Sequence, residues 1–238
     1  MKIKYIYILL LGFISLISCE KENIDATSIL PLKAYDTLTL NSVFDVELIQ
    51  DTVNAIEISG TARSIEKILI EQENGHLKLT NTYKGNFLHP SKNKIQIKLH
   101  TDGIRLIKAN ETCYIHSSTP LIGEEIGLVM ASKLNEANLI LNCGSFYYWN
   151  NFPCGGKITL SGETNDLKLW NVALMTVDAQ ALTCNTALVE NASKGDCKVT
   201  CLEQLTCALR GEGNIYLWGN PPNITVIEQS SEGQLIKQ

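Results

Sequence analysis

The chain has 238 residues, a formal net charge of −5 at pH 7, 45% hydrophobic and 19% charged residues, and eight cysteines. A mildly acidic chain without a basic run argues against nucleic acid as a partner and against electrostatic attachment to a membrane. The length suits one sizeable domain or two small ones.

At the N-terminus, Lys2 and Lys4 precede an apolar run from Tyr5 to Ile17, the charged and hydrophobic regions of a secretory signal. The run falls well short of the about twenty residues that a helix needs to cross a bilayer. It closes on Leu16-Ile17-Ser18-Cys19, which resembles the lipobox of bacterial lipoproteins. In those proteins the signal is cut before the cysteine and the cysteine is acylated. The expected organisation is a signal peptide over 1–18, lipidated Cys19 with a tether over 19–34, an N-terminal β region over 35–103, and repeats with a C-terminal cap over 104–238. Two or three acyl chains on Cys19 make the membrane a permanent partner. The expected location is the bacterial envelope, as an outer-membrane lipoprotein. Glu20-Lys21-Glu22 loosely resembles the charged signal that sends some of these proteins to the outer surface.

Residues 35–102 read as strands. LTLNSVFDVELIQ, IEISG, HLKLTN and KIQIKLH alternate apolar and polar positions, with turn signals at Gln50-Asp51-Thr52, Glu73-Asn74-Gly75 and 84–93. SIEKILIEQ, 64–72, fits a helical turn or a strand equally well.

From residue 104 a repeat of about twenty residues emerges: LIKAN, GLVMA, FYYWN, LKLWN, ALVEN and CALRG end at 110, 131, 150, 171, 191 and 211. Most are followed by a second alternating segment, such as NLIL, KITL, CKVTC or NIYL. Six such units predict an all-β parallel β-helix, with the N-terminal strands packed on it or capping it. An antiparallel sandwich also has many short strands, but it does not require a constant repeat length. LIKAN fits least well, because its inward face takes Lys108 unless the register shifts. Asn150, Asn171 and Asn191 fall at equivalent positions, where amides can turn the chain and ladder from coil to coil.

Alternation directs Cys197, Cys201 and Cys207 inward, where a thiol serves as a small hydrophobe. They do not make a zinc site, since all four histidines lie far upstream. No metal or cofactor is expected. The close acid pairs of the repeat region, Glu124-Glu125 and Glu163…Asp166, look like solvated turn residues. No nucleophile motif, phosphate loop or cofactor fingerprint accompanies them.

The candidate contact residues lie in FYYWNNF, 146–152. If Phe146 and Tyr148 point inward, Tyr147 and Trp149 point out, and one coil later Trp170 points out beside Trp149. A row of exposed aromatics suits sugar rings or a partner's apolar surface, unless a loop covers it. Tyr216 and Trp218 also point outward, on a strand that need not share that face.

NSVFDVELIQD, IEISG and ENGHLKLTN, together with the closing GEGNIYLWGNPPNITVIEQSSEGQLIKQ, resemble the putative auto-transporter adhesin, head GIN domain family. The resemblance runs from about residue 35 almost to the end. Family members usually carry Ser-Gly-x-Gly turns where this chain has SGETND and ASKGD. The resemblance implies a right-handed β-helix-like domain on an envelope protein, with adhesin-like binding of a glycan or surface protein. The alternatives are a non-catalytic structural or envelope-assembly component and, third, a β-helix enzyme acting on polysaccharide.

Overall fold

The computed structural model describes residues 25–83, 95–131, 133–151 and 153–238. Cys19 and the signal lie outside these residues. Sixteen strands join into one hydrogen-bonded network that winds as a β-solenoid of about six turns. The strands are β1 (Asp25–Pro31), β2 (Thr37–Leu40), β3 (Phe44–Gln50), β4 (Ala55–Thr61), β5 (Ile68–Glu73), β6 (His76–Asn81), β7 (Gln96–Thr101) and β8 (Leu106–Ala109). They continue with β9 (Cys113–Ser117), β10 (Leu121–Met130), β11 (Leu134–Asn150), β12 (Gly155–Ser193), β13 (Cys197–Leu209), β14 (Ile215–Trp218), β15 (Asn223–Gln229) and β16 (Leu235–Lys237).

Two faces run along the solenoid. The first is built from β6, β2, β8 and the C-terminal parts of β10 and β11. It then takes in successive passes of β12, the end of β13, and β15. The second is built from β7, β3, β9 and the first half of β11, and runs on through β12 and β13 to β14 and β16. Pairing is parallel throughout this stack. No single coil can bury its own apolar face, so each one uses its neighbours, about 4.8 Å away, as both floor and ceiling.

One inward column shows how the chain keeps register. Leu79, Leu40, Ala109, Met130 and Asn150 are successive partners, and Asn171, Asn191 and Leu209 continue the line. The column is apolar at the N-terminal end and amide in the middle. There the chain leaves the sheet at a corner, and its carbonyls point inward without a strand partner. Asn171 Nδ2 donates to Met175 O at 2.9 Å and to Asn191 Oδ1 at 3.1 Å. Asn191 Nδ2 donates to Gly195 O and Gly213 O, both at 3.0 Å, and Asn150 Nδ2 to Val172 O at 3.0 Å. All three asparagines are buried, so the amides supply bonds that water cannot. Close stacking also dictates Gly156, whose φ is 126°; a Cβ there would lie 1.9 Å from Asn135 O on the coil below.

Lys108 does not enter the core. Ile107 and Ala109 point inward and Lys108 outward, because the register is shifted by one residue from the repeat marker at Asn110. The marker at Ala131 slips by one residue and that at Gly211 by two, the column passing through Met130 and Leu209 instead. Corners differ in length, and the strands, not the corner residues, hold the register.

Ambiguous SIEKILIEQ uses both options. A one-turn helix, α1 (Ala62–Ile65), is capped by the Thr61 side chain accepting from Ser64 N, and β5 follows it. Residues 25–31, read from sequence as tether, form β1 instead; DATSILP alternates too weakly to announce a strand. β1 pairs antiparallel with β4, and β5 pairs antiparallel with β6, so antiparallel strands finish the N-terminal edge of both faces. At the other end β15 carries a register break opposite Cys207 and Ala208, a distortion that discourages further pairing.

Asn171→Ala removes the amide that donates to Met175 O, Asn191 Oδ1 and Cys197 Sγ, the first two of which keep a donor from Ser193. It is expected to cost about 1–3 kcal/mol by urea denaturation, from the lost buried hydrogen bonds. Asn165→Ala, at an exposed corner, is expected to stay within about 0.5 kcal/mol of the parent.

Candidate functional site

Trp149 and Trp170 are direct register partners on adjacent coils of the first face. Phe146 and Tyr148 are fully buried beneath them, as are Leu167 and Leu169, which forces the intervening side chains outward. Trp149 is 43% exposed. Trp170 is half-buried, and its Nε1 donates to Glu190 Oε1 at 3.2 Å. Glu190 is in turn gripped by Arg210, whose Nε donates to Glu228 Oε2 at 2.7 Å. Hydrogen bonds from Arg210 and Ser230 hold the Glu228 carboxyl below its ordinary range.

The outward column reads Lys108, Val129, Trp149, Trp170 and Glu190. Beside it runs Leu106, Gly127, Tyr147 and Lys168. The ring of Tyr147 lies flat over Gly127, where an added Cβ would fall 2.1 Å from Cζ. Glycine therefore lets Tyr147 fold down onto the sheet and level the face between Leu106 and the tryptophans. Burial, then the nearby Glu125 carboxylate, raises the Tyr147 hydroxyl, with Arg105 opposing. Lys168 Nζ pairs with Asp166 Oδ2 at 2.8 Å. The arrangement is a flat apolar strip with charged residues at both margins, open to solvent at Trp149.

The structure brings Trp149, Trp170 and Tyr147 onto one face. Tyr216 and Trp218 lie on the second face, with ring centroids 6.3 Å apart and planes tilted by 34°. Val129, Gly127, Lys108 and Glu190 were not singled out in the sequence as neighbours of the aromatics. Their twenty-residue spacing was the available signal, obscured by the slip of the GLVMA marker.

The two acid pairs offer little for catalysis. Burial acts to raise the Asp166 carboxyl, but hydrogen bonds from Lys168 and from Thr186 Oγ1 at 2.7 Å outweigh it and hold the group below its ordinary range. An acid held ionised in this way is a poor proton donor. Glu124 and Glu125 are exposed. Among the described residues no group of three or more histidine, cysteine, aspartate or glutamate side chains could hold a metal ion, and no helix is long and apolar enough to cross a membrane.

Residues 34–221 match the family described as "putative auto-transporter adhesin, head GIN domain". The chain belongs to that family. Among solved structures, an adhesin-named protein from Bacteroides fragilis superposes with a TM-score of 0.80 at 15% identity, covering 90% of this chain and 97% of that one. A protein from Parabacteroides distasonis named as lipid-binding gives 0.61 at 18% identity, over 91% and 98% of the two chains. An adhesin-named protein from Parabacteroides merdae gives 0.59 at 14% identity, over 91% and 97%. At these identities the three structures share a fold with this chain, and nothing finer follows. A comparison with curated proteins finds no match.

Gly127→Ala is expected to lift the Tyr147 ring off the sheet. The change should appear as a shift of the Tyr147 ring resonances in NMR spectra, with a loss of about 1–3 kcal/mol in urea denaturation from overpacking. An unmoved ring would show that Gly127 does not set its position.

Proposed function

We propose that this head GIN domain protein is a lipid-anchored envelope protein whose Trp149–Trp170–Tyr147 face binds an extended glycan. The observation that carries the proposal is the register pairing of Trp149 with Trp170 on an uncovered face, with Trp149 43% exposed. An outward aromatic strip suits the C–H faces of sugar rings. The marginal groups Lys168, Glu190 and Arg210 stand where ring hydroxyls would find hydrogen-bond partners. The family description supports an envelope or surface location, and the lipobox-like Leu16–Cys19 supports the anchor.

Glycan-array binding, followed by calorimetry on any hit, tests the face. Trp149→Ala and Trp170→Ala are each expected to weaken binding by at least about tenfold, equivalent to about 1.4 kcal/mol, with Tm little changed. Binding that survives both substitutions removes this face from the proposal. An array with no hit, together with capture of a purified envelope protein that both substitutions abolish, would replace the glycan with a protein partner. The anchor has its own test: Cys19→Ser should move the protein from the membrane fraction to the soluble fraction.

A further inference from the structure

All seven cysteines among the described residues are buried with free thiols, and five of them have no thiol as a register partner. Cys184 and Cys201 differ. They are register partners on adjacent parallel coils, so their Cα atoms lie at sheet spacing, inside the range a disulfide spans. In the other ladder pairings, cysteine faces a non-thiol residue: Cys143 faces Thr164, Cys197 faces Val177 and Ile215, and Cys207 faces Val189 and Val226. The ladder breaks on both sides of this pair, between Ala179 and Thr183 and between Cys184 and Thr186. The extra residues fall on β12 at the first break and on β13 at the second. The backbone at the pair is therefore not clamped by continuous pairing and has slack to bring two sulfurs together.

The pair faces the core, and its chain neighbours line a groove on the outer side of the same strands. A groove of about 390 Å³ at this corner is lined by Thr183 and Asn185, which flank Cys184, by Leu202, which follows Cys201, and by Cys143. Around the sulfur of Cys201, Asn185 O is at 3.3 Å and Gln204 O at 3.1 Å. Cys184 Sγ lies 3.3 Å from Thr200 O. The interaction with Cys184, followed by the backbone amides of Gln204, Glu203 and Leu202, holds the Cys201 thiol below its ordinary range. The same contact with Cys201, and then burial, raises Cys184. The two sulfurs contact one another, so once either is oxidised to a mixed disulfide the other stands beside it to resolve the bond.

We propose that Cys184 and Cys201 form a buried dithiol site behind the wall of the corner groove, which accepts oxidation from an organic disulfide when that wall opens and becomes a cross-coil disulfide. The Cys201 thiolate attacks one sulfur of the oxidant R–S–S–R, forming a Cys201–S–S–R mixed disulfide and releasing RS⁻. Cys184, giving its proton to solvent, then attacks the Cys201 sulfur and expels the second RS⁻. Two protein thiols lose two electrons and two protons, and the oxidant is reduced to two thiols. The bond pins two neighbouring coils where their ladder is interrupted. Both thiols are shielded at rest, so the rate reports how readily the groove wall opens.

The test is oxidation of the reduced full chain with oxidised glutathione under native conditions, read by non-reducing peptide mapping. The expected result is a Cys184–Cys201 linked peptide as the first disulfide formed, with a Tm rise of several degrees from closing the intervening loop. In Cys184→Ser the expected product is a stable glutathione adduct on Cys201. If that variant fails to fold, the wild-type map alone decides. A first disulfide between other cysteines, or a chain that stays fully reduced while unfolded chain oxidises in the same buffer, overturns the proposal.

Discussion

Everything in this molecule depends on parallel coils stacking in register at a nearly constant repeat. A coil of about twenty residues cannot enclose a core, and its strands have no hydrogen-bond partners of their own. Both deficits are met only by the coils above and below. Inward positions must therefore align from coil to coil, and any position that faces outward on one coil faces outward on the next. The buried amide column and the outer aromatic strip are two consequences of the same alignment. Asn150, Asn171 and Asn191 exist because the corners turn carbonyls into the interior, and Trp149 meets Trp170 because the strands leading to those corners stay in step.

The register was legible where strands alternate strongly and obscure where corners vary. FYYWN, LKLWN and ALVEN announced both the amide column and the outward tryptophans, since Phe146, Tyr148, Leu167 and Leu169 left no other choice of face. LIKAN and GLVMA misled by a residue, because Asn110 and Ala131 resemble the corner amides and small residues but lie just past the column. β1 was missed because it is an edge strand, held by backbone pairing with β4 more than by its own side chains. The fold of Tyr147 onto Gly127 was not legible at all. It depends on a contact between coils, and no spacing rule within one coil encodes it.

The thiols illustrate how one alignment serves different ends. Cysteine packs well in this interior because a small hydrophobe suits the narrow space between coils. Five of the seven described thiols stand opposite non-thiol residues or outside such pairing altogether, and only Cys184 and Cys201 stand opposite each other. That exception coincides with the two breaks in the β12–β13 ladder and with the corner groove. The aromatic strip lies on the first face and the Cys184–Cys201 pair at a corner, so a change at one need not disturb the other.

The central claim is that Trp149 and Trp170 stand on an uncovered outer face. Acrylamide quenching of tryptophan fluorescence tests it directly, comparing the parent with Trp149→Phe and Trp170→Phe. The account predicts a strongly quenched fraction that disappears with Trp149→Phe, and a smaller change with Trp170→Phe, whose indole is half-buried and bonded to Glu190. Equal shielding of both tryptophans, with quenching unchanged in either variant, would mean that the strip is covered and would contradict the account.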